Sequence, residues 1–190
     1  MAANDWTSLA NLKEHLKFED TVAFRDALLT NLITRASKAL DRYCGRESLK
    51  AADYTEYHDG EGTNVLLTEE RPIISVTSLH DDPSRTFEDD TLVAAADRVT
   101  NAKEGMIRLL DDVIFTRGIQ NLKLVYRAGY ETIPEDAELA CLILCSHIYN
   151  KAGTEGHTSL SLGGLSKSFD PKAWPDEVRA IVEPFRKRPV

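Results

Sequence analysis

The chain is poor in cysteine. Its three residues, an odd number, argue against a disulfide framework and for a reducing compartment. Nowhere do 18 apolar residues run together, which excludes a transmembrane helix and leaves no expectation of a membrane partner. The first residues, MAANDWTSLANLKEHL, lack a basic end followed by an apolar core, so no secretory signal is expected. Positive charge is in deficit: the net charge of −8 favours solubility and disfavours a phosphate-gripping surface.

Catalytic motifs are missing as well. There is no GxxxxGK[ST] loop, no GxGxxG, no HExxH, no GxSxG and no CxxC. Cys141, Cys145 and His147 come nearest to a metal constellation. Cys141 and Cys145 share a helix face, but His147 is rotated about 160° from Cys145 at ~100° per residue. Small buried cysteines in a core helix explain the pair better than zinc. The acid pairs Asp81/Asp82, Asp89/Asp90 and Asp111/Asp112 read as solvated turns rather than cation sites. Neither a cofactor nor a metal is expected.

What is present is an ordinary soluble composition, 42% hydrophobic and 28% charged, over 190 residues. That length suits one domain, or one carrying a subdomain. The chain is organised around Leu122 to Lys151. Leu122, Leu124 and Tyr126 alternate with Lys123, Val125 and Arg127, the period of a half-buried strand. Gly129 permits a turn, Pro134 suits a first helical turn, and Glu135, Asp136 and Glu138 complement the helix dipole. Leu139, Leu142, Ile143, Ser146 and Tyr149 form the expected apolar stripe, widened by Ala140, Cys141, Leu144, Cys145 and Ile148.

Before this stretch, Thr7 or Ser8 caps a short helix reaching about Phe18, with Leu9, Leu12 and Leu16 on one face and Lys13, Glu14 and Lys17 outside. Asp20 or Thr21 caps a longer helix to about Tyr43. Its buried stripe is Leu29, Leu32, Ile33, Ala36, Leu40 and Tyr43, with Arg25, Asp26, Arg35, Lys38 and Arg42 in water. Gly45 stands at the left-handed cap position.

From about Asp53 to Tyr126 the texture is β. Strands are expected at Tyr54–Tyr57, Val65–Leu67, Ile73–Leu79 and Met106–Leu110, with Val113–Thr116 as hairpin partner of the last. Thr86 to Glu104 reads as irregular, and Gly118 as a break before the final strand at Leu122. Most of the negative excess lies in this segment. After the central helix comes a Gly/Ser-rich strap, then a short helix with Val178, Ile181 and Val182 as its apolar contacts, broken at Pro184.

The expected fold is therefore α+β: a small helical bundle, with long helices at about 21–44 and 134–151, and an inserted antiparallel β subdomain at about 53–127. Residues 1–152 form the core, and 153–190 the strap and C-terminal helix. Two consecutive helices also admit a helix-turn-helix DNA-binding reading, but a recognition helix needs a basic face that the acidic balance does not support. A small hydrolase using acidic residues of the β insert is the other alternative.

The order of parts says more than any motif. A short helix, a long helix ending DRYCGR, then RPIISVTSL, VYRAGYETIPED, a long helix, the strap and a terminal PFR resemble the head–tail connector proteins of tailed double-stranded DNA phages. These are also called adaptor or head-completion proteins. The resemblance runs from Leu9 to Arg188. It implies a structural protein without catalysis, located in the virion at the head–tail junction and in the host cytoplasm during assembly. It further implies a ring, commonly of twelve copies, beneath the portal protein. Such a ring extends the DNA channel, which DNA traverses without specific binding, and offers a surface to stopper or tail-completion proteins. Ring contacts are expected on the polar faces of the long helices and the edges of the β insert. The C-terminal segment is expected to dock the portal through Trp174, Val178, Ile181, Phe185, Arg186, Lys187 and Arg188. In the opposing expectation Trp174 and Val178 fold back on the subunit's own helices.

Overall fold

The computed structural model describes residues 4–18, 25–151, 159–162, 165–168 and 174–187. The chain forms two compact units, one of residues 1–49 with 133–190 and one of residues 50–132.

In the first unit α1 (Leu9–His15) starts where the Ser8 hydroxyl accepts the Asn11 N–H at 3.1 Å. It stops short of Phe18, because Lys17 turns left-handed at φ 56°. α2 (Asp26–Cys44) ends at Gly45, whose φ of 68° closes the last turn with N–H bonds to the carbonyls of Asp41 and Arg42. The expected caps Asp20 and Thr21 lie outside the described residues. α2 buries Leu29, Ile33, Ala36 and Leu40 as the spacing requires, with Cys44 one turn further on.

α3 (Glu135–Lys151) packs against α1, α2 and α4 (Asp176–Val182). Its buried residues are Ala137, Ala140, Cys141, Leu144 and Cys145. This corrects the expected stripe: Leu139 and Ile148 are exposed, and Leu142, Ile143, Ser146 and Tyr149 are only half-buried. The helix is apolar around most of its circumference, so periodicity did not say which side faces in. Small residues are buried where α2 and α3 pack, Ala36 and Ser37 on α2 and Ala137, Ala140 and Cys141 on α3, and the Ser37 hydroxyl lies 3.7 Å from the Cys141 sulfur.

The architecture is α+β, but the bundle of long helices is not what forms. Only α2 and α3, of 19 and 17 residues, are long; α1 and α4 have seven each. Pro175 and Pro184 bound α4 on either side, each lacking the N–H a continuing helix needs. Within the strap, β7 (Ser159–Leu162) and β8 (Leu165–Ser168) pair antiparallel.

The second unit holds two three-stranded antiparallel sheets. In one, β6 (Gly118–Ala128) lies between β1 (Ala52–Gly60) and β3 (Ile73–Asp81). In the other, β5 (Met106–Leu109) lies between β2 (Val65–Leu67) and β4 (Arg98–Asn101). The alternation along β6 holds: Leu122, Leu124, Tyr126 and Ala128 enter a core with Leu66, Ile73, Leu79, Ile107, Leu109 and Phe115.

Three expectations fail here. Val113–Thr116 is not a strand, because both edges of β5 are already taken. The Phe115 N–H instead reaches the Thr63 carbonyl at 2.8 Å, and the Thr116 N–H the Asp81 carboxylate at 2.7 Å. β4 lies inside the segment expected to be irregular; its side chains are largely exposed, so no apolar pattern announced it. Gly118 begins β6 rather than breaking a strand, and pairs with Gly60. A Cβ at Gly60 would stand 1.8 Å from the Thr116 carbonyl oxygen, so only glycine lets these segments meet.

Candidate functional site: assembly surfaces

The C-terminal helix sits in the first unit's core. Val178 and Val182 are fully buried, Phe185 is buried, and Trp174 and Ile181 are half-buried. The Phe185 carbonyl accepts the Arg46 Nε–H at 2.7 Å, and the Lys187 N–H donates to the Cys44 carbonyl at 2.7 Å. The Trp174 ring lies 5.1 Å from that of Tyr43, whose other neighbour is the Arg186 guanidinium at 5.3 Å from the ring centroid. Arg186 also pairs with Glu183 at 3.0 Å. Arg188 lies outside the described residues. Of the seven expected docking residues, Trp174, Phe185, Arg186 and Lys187 thus meet the end of α2, while Val178 and Ile181 belong to α4, which packs on α3. Burying a valine or phenylalanine side chain stabilises by roughly 1.5–3 kcal/mol, so this segment belongs to the fold.

The outer faces of the long helices differ in chemistry. On α2, Leu28, Asn31, Arg35, Lys38 and Arg42 recur at three- and four-residue steps, and all are exposed. No acid interrupts them, and among the described residues no hydrogen bond or ion pair occupies the three cations. Two other charges expected in water are engaged. Arg25 lies 5.6 Å from the Phe18 ring centroid and donates to the Tyr149 hydroxyl at 2.7 Å. Asp26 pairs at 2.7 Å with Lys13, which was expected outside on α1 but is buried. On α3 Leu139 and Ile148 are exposed and Leu142 and Ile143 half-buried, between the acids Glu135 and Asp136 at one end and Asn150 at the other.

The acidic β unit puts its carboxylates to structural use. Burial alone would raise the Glu56 carboxyl, but hydrogen bonds from His58, the Tyr126 hydroxyl and the Glu69 N–H outweigh it and hold the pKa below the usual value. The Tyr126 hydroxyl donates to Glu56 and accepts the Glu70 N–H at 3.0 Å; burial, then that bond to Glu56, pushes its own pKa far up. A general acid near neutrality needs a raised carboxyl, and Glu56 goes the other way. Asp82 is not the solvated turn residue expected: it is buried and receives the N–H groups of Phe87, Ser84 and Thr86 and the Thr86 hydroxyl at 2.7–2.9 Å. The Phe87 N–H leads these in holding its pKa to about 2. Asp89, Asp90, Asp111 and Asp112 are exposed. Cys141 and Cys145 are buried, and the hydrogen bond to Cys145, then burial, raises the Cys141 thiol well above its ordinary value. Among the described residues no three His, Cys, Asp or Glu side chains could hold a metal ion together.

Sequence reasoning missed Trp6, which is almost fully buried, and the Glu56–Tyr126 pair. For Trp6 the residue type was the only signal. For the pair, the cue was a carboxylate and a phenol on neighbouring strands, but their pairing needs the register.

Comparison with known proteins agrees with the motif series. The family model described as head completion protein matches residues 5–188. The chain belongs to that family. A head completion protein is a structural component of the phage particle, which sets its place in the virion. Three solved structures are similar in fold over the whole chain. One, from "Neck of empty GTA particle computed with C6 symmetry", has 18% identity and a TM-score of 0.65, with 95% of that chain covered. Another, from "Virion of native gene transfer agent (GTA) particle", has 18% identity and a TM-score of 0.62 over 94% of its length. A third, from "Neck of native GTA particle computed with C12 symmetry", has 17% identity and a TM-score of 0.59 over 97%. No curated protein matches the sequence.

Proposed function

We propose that this head completion protein is a non-enzymatic adaptor forming a ring, of twelve copies when assembled, beneath the portal. There it extends the DNA channel and offers stopper or tail-completion proteins their attachment surface. The observation that carries this reading is full-length family membership, joined to a fold shared with proteins from particle necks treated in six-fold and twelve-fold symmetry. The exposed Leu139 and Ile148 of α3 support it, since a helix apolar on most sides belongs in an interior or an interface. The net charge of −8 suits a channel along which DNA slides without adhering.

In this reading the C-terminal segment meets the portal with its outward side. Val178 and Phe185 hold α4 in place, while Arg186 and Lys187 face the partner and set orientation and encounter rate. Trp174 and Ile181, half-buried, form the apolar rim.

Electron microscopy of the purified protein, with and without a portal ring, tests the proposal. A closed ring seated on the portal is expected. A protein that stays monomeric at high concentration and also with the portal would overturn it.

A further inference from the structure

We propose that the cationic face of α2 in one copy receives the Leu110–Ile114 loop of the next copy, and that this contact joins neighbouring copies around the ring. The proposal rests on the ring reading above and names its interface.

The helix side is a built stripe. Arg35, Lys38 and Arg42 are exposed on one face and engage no ion pair among the described residues. They lie within about 10 Å of helix in a chain of net charge −8. About two turns toward the N-terminus from Arg35, the same face ends in Leu28, which is 55% exposed.

The loop side carries the opposite pattern. Asp111 and Asp112 are exposed in consecutive left-handed conformations, φ 53° and 57°, and are followed by Val113 and Ile114, 54% and 58% exposed. The loop is held before any partner arrives. The Val113 N–H donates to the Leu110 carbonyl at 3.0 Å, and the Leu110 N–H to that of Asp97 at 2.9 Å. Phe115, buried in the core, anchors its far end, with its N–H on Thr63. A loop already ordered loses little freedom on docking.

Two acids followed by two apolar residues match cations followed by a leucine. A heterologous contact that closes a ring requires each copy to carry two different, complementary surfaces, and this chain has both. DNA fits the stripe less well. Three cations can release counterions from about three phosphates, while the acids elsewhere repel the duplex.

The test is a charge swap in the full-length chain. Variant one is Arg35→Glu with Lys38→Glu and Arg42→Glu; variant two is Asp111→Lys with Asp112→Lys. Because left-handed positions accept asparagine more readily than lysine, Asp111→Asn with Asp112→Asn serves as a second loop variant, and glutamine replacements serve likewise on the helix. Assembly is read by sedimentation velocity and electron microscopy, alone and with the portal, and folding by circular dichroism. Each reversed variant should remain folded and lose ring at least tenfold. An equimolar mixture of the two should regain it, because alternating copies restore opposite charges at every interface. Rings that form equally well from either reversed variant would overturn the inference and leave the ring reading standing. Undisturbed rings that lose salt-sensitive DNA binding when the stripe is reversed would also overturn it, assigning the stripe to DNA. A wild type that forms no ring even with the portal would remove the ring reading, and this inference with it.

Discussion

The Trp6 indole N–H donates to the Asp41 carboxylate at 3.0 Å, joining residues 35 positions apart in a buried setting. The same carboxylate oxygen accepts the Leu49 N–H at 2.8 Å, while the Trp6 backbone N–H donates to Ser37 at 2.9 Å. One side chain near the end of α2 therefore holds both the segment leading into α1 and the segment leaving α2. Asp41→Ala would leave two buried donors without their acceptor, so a loss of about 3 kcal/mol is expected. Trp6→Phe should cost about 1–2 kcal/mol. The two changes together should cost less than their sum, because they break one shared network. Urea unfolding of the two single variants and the double variant checks this.

Removal of Trp174 to Val190 should destabilise the first unit sharply. Val178, Val182 and Phe185 lie in its core, and Arg46 and Cys44 would lose backbone partners. Several kcal/mol of burial disappear at roughly 1.5–3 kcal/mol per large side chain. A markedly lower melting temperature is expected. A truncated protein that melts like the full chain would show that α4 contributes nothing to the fold.

Asp82 should make stability acid-sensitive. Its folded pKa, about 2, lies below the ordinary value of 3.8, so its contribution is fully present above about pH 4 and fades as pH falls through 2. Asp82→Asn removes that contribution. Thermal melts from pH 2 to 6 should show wild type more stable than the variant at the upper end, with the gap narrowing toward pH 2. A gap independent of pH would contradict the role given to the carboxylate.

Cys141 and Cys145 should act as packing residues. Full burial of both, with the Cys141 thiol raised well above its ordinary value, predicts slow alkylation in the native protein, and Cys44, pushed to about 11 by burial, should behave likewise. Replacing Cys141 and Cys145 together with alanine should cost roughly 1–3 kcal/mol through lost volume, with no change in metal content. Stoichiometric zinc in the wild type, lost in the double variant, would overturn this.

Leu139→Arg should probe the outer face of α3. The residue is 43% exposed, so the isolated subunit should tolerate the change within about 0.5 kcal/mol. Ring formation should fall if that face is covered in the assembly. Equal assembly of variant and wild type would assign the face to solvent.

The sequence by itself determined the elements whose signals are local. Ser8 starts α1, Gly45 ends α2, the alternation of Leu122, Leu124 and Tyr126 builds β6, and the prolines at 175 and 184 bound α4. Each works through its own dihedral preference or through a period of a few residues. The family, too, was legible, because the order of such elements survives where single motifs are weak. Tertiary structure alone decided the inward face of α3, since a helix apolar on most sides offers two candidate stripes, and only packing against α2, where Ser37 meets Cys141, selects one. It also decided the pairing of β5 with β2 and β4, and the engagement of Asp82, Glu56 and Lys13. Those contacts depend on groups far apart in the chain, whose meeting no local pattern encodes.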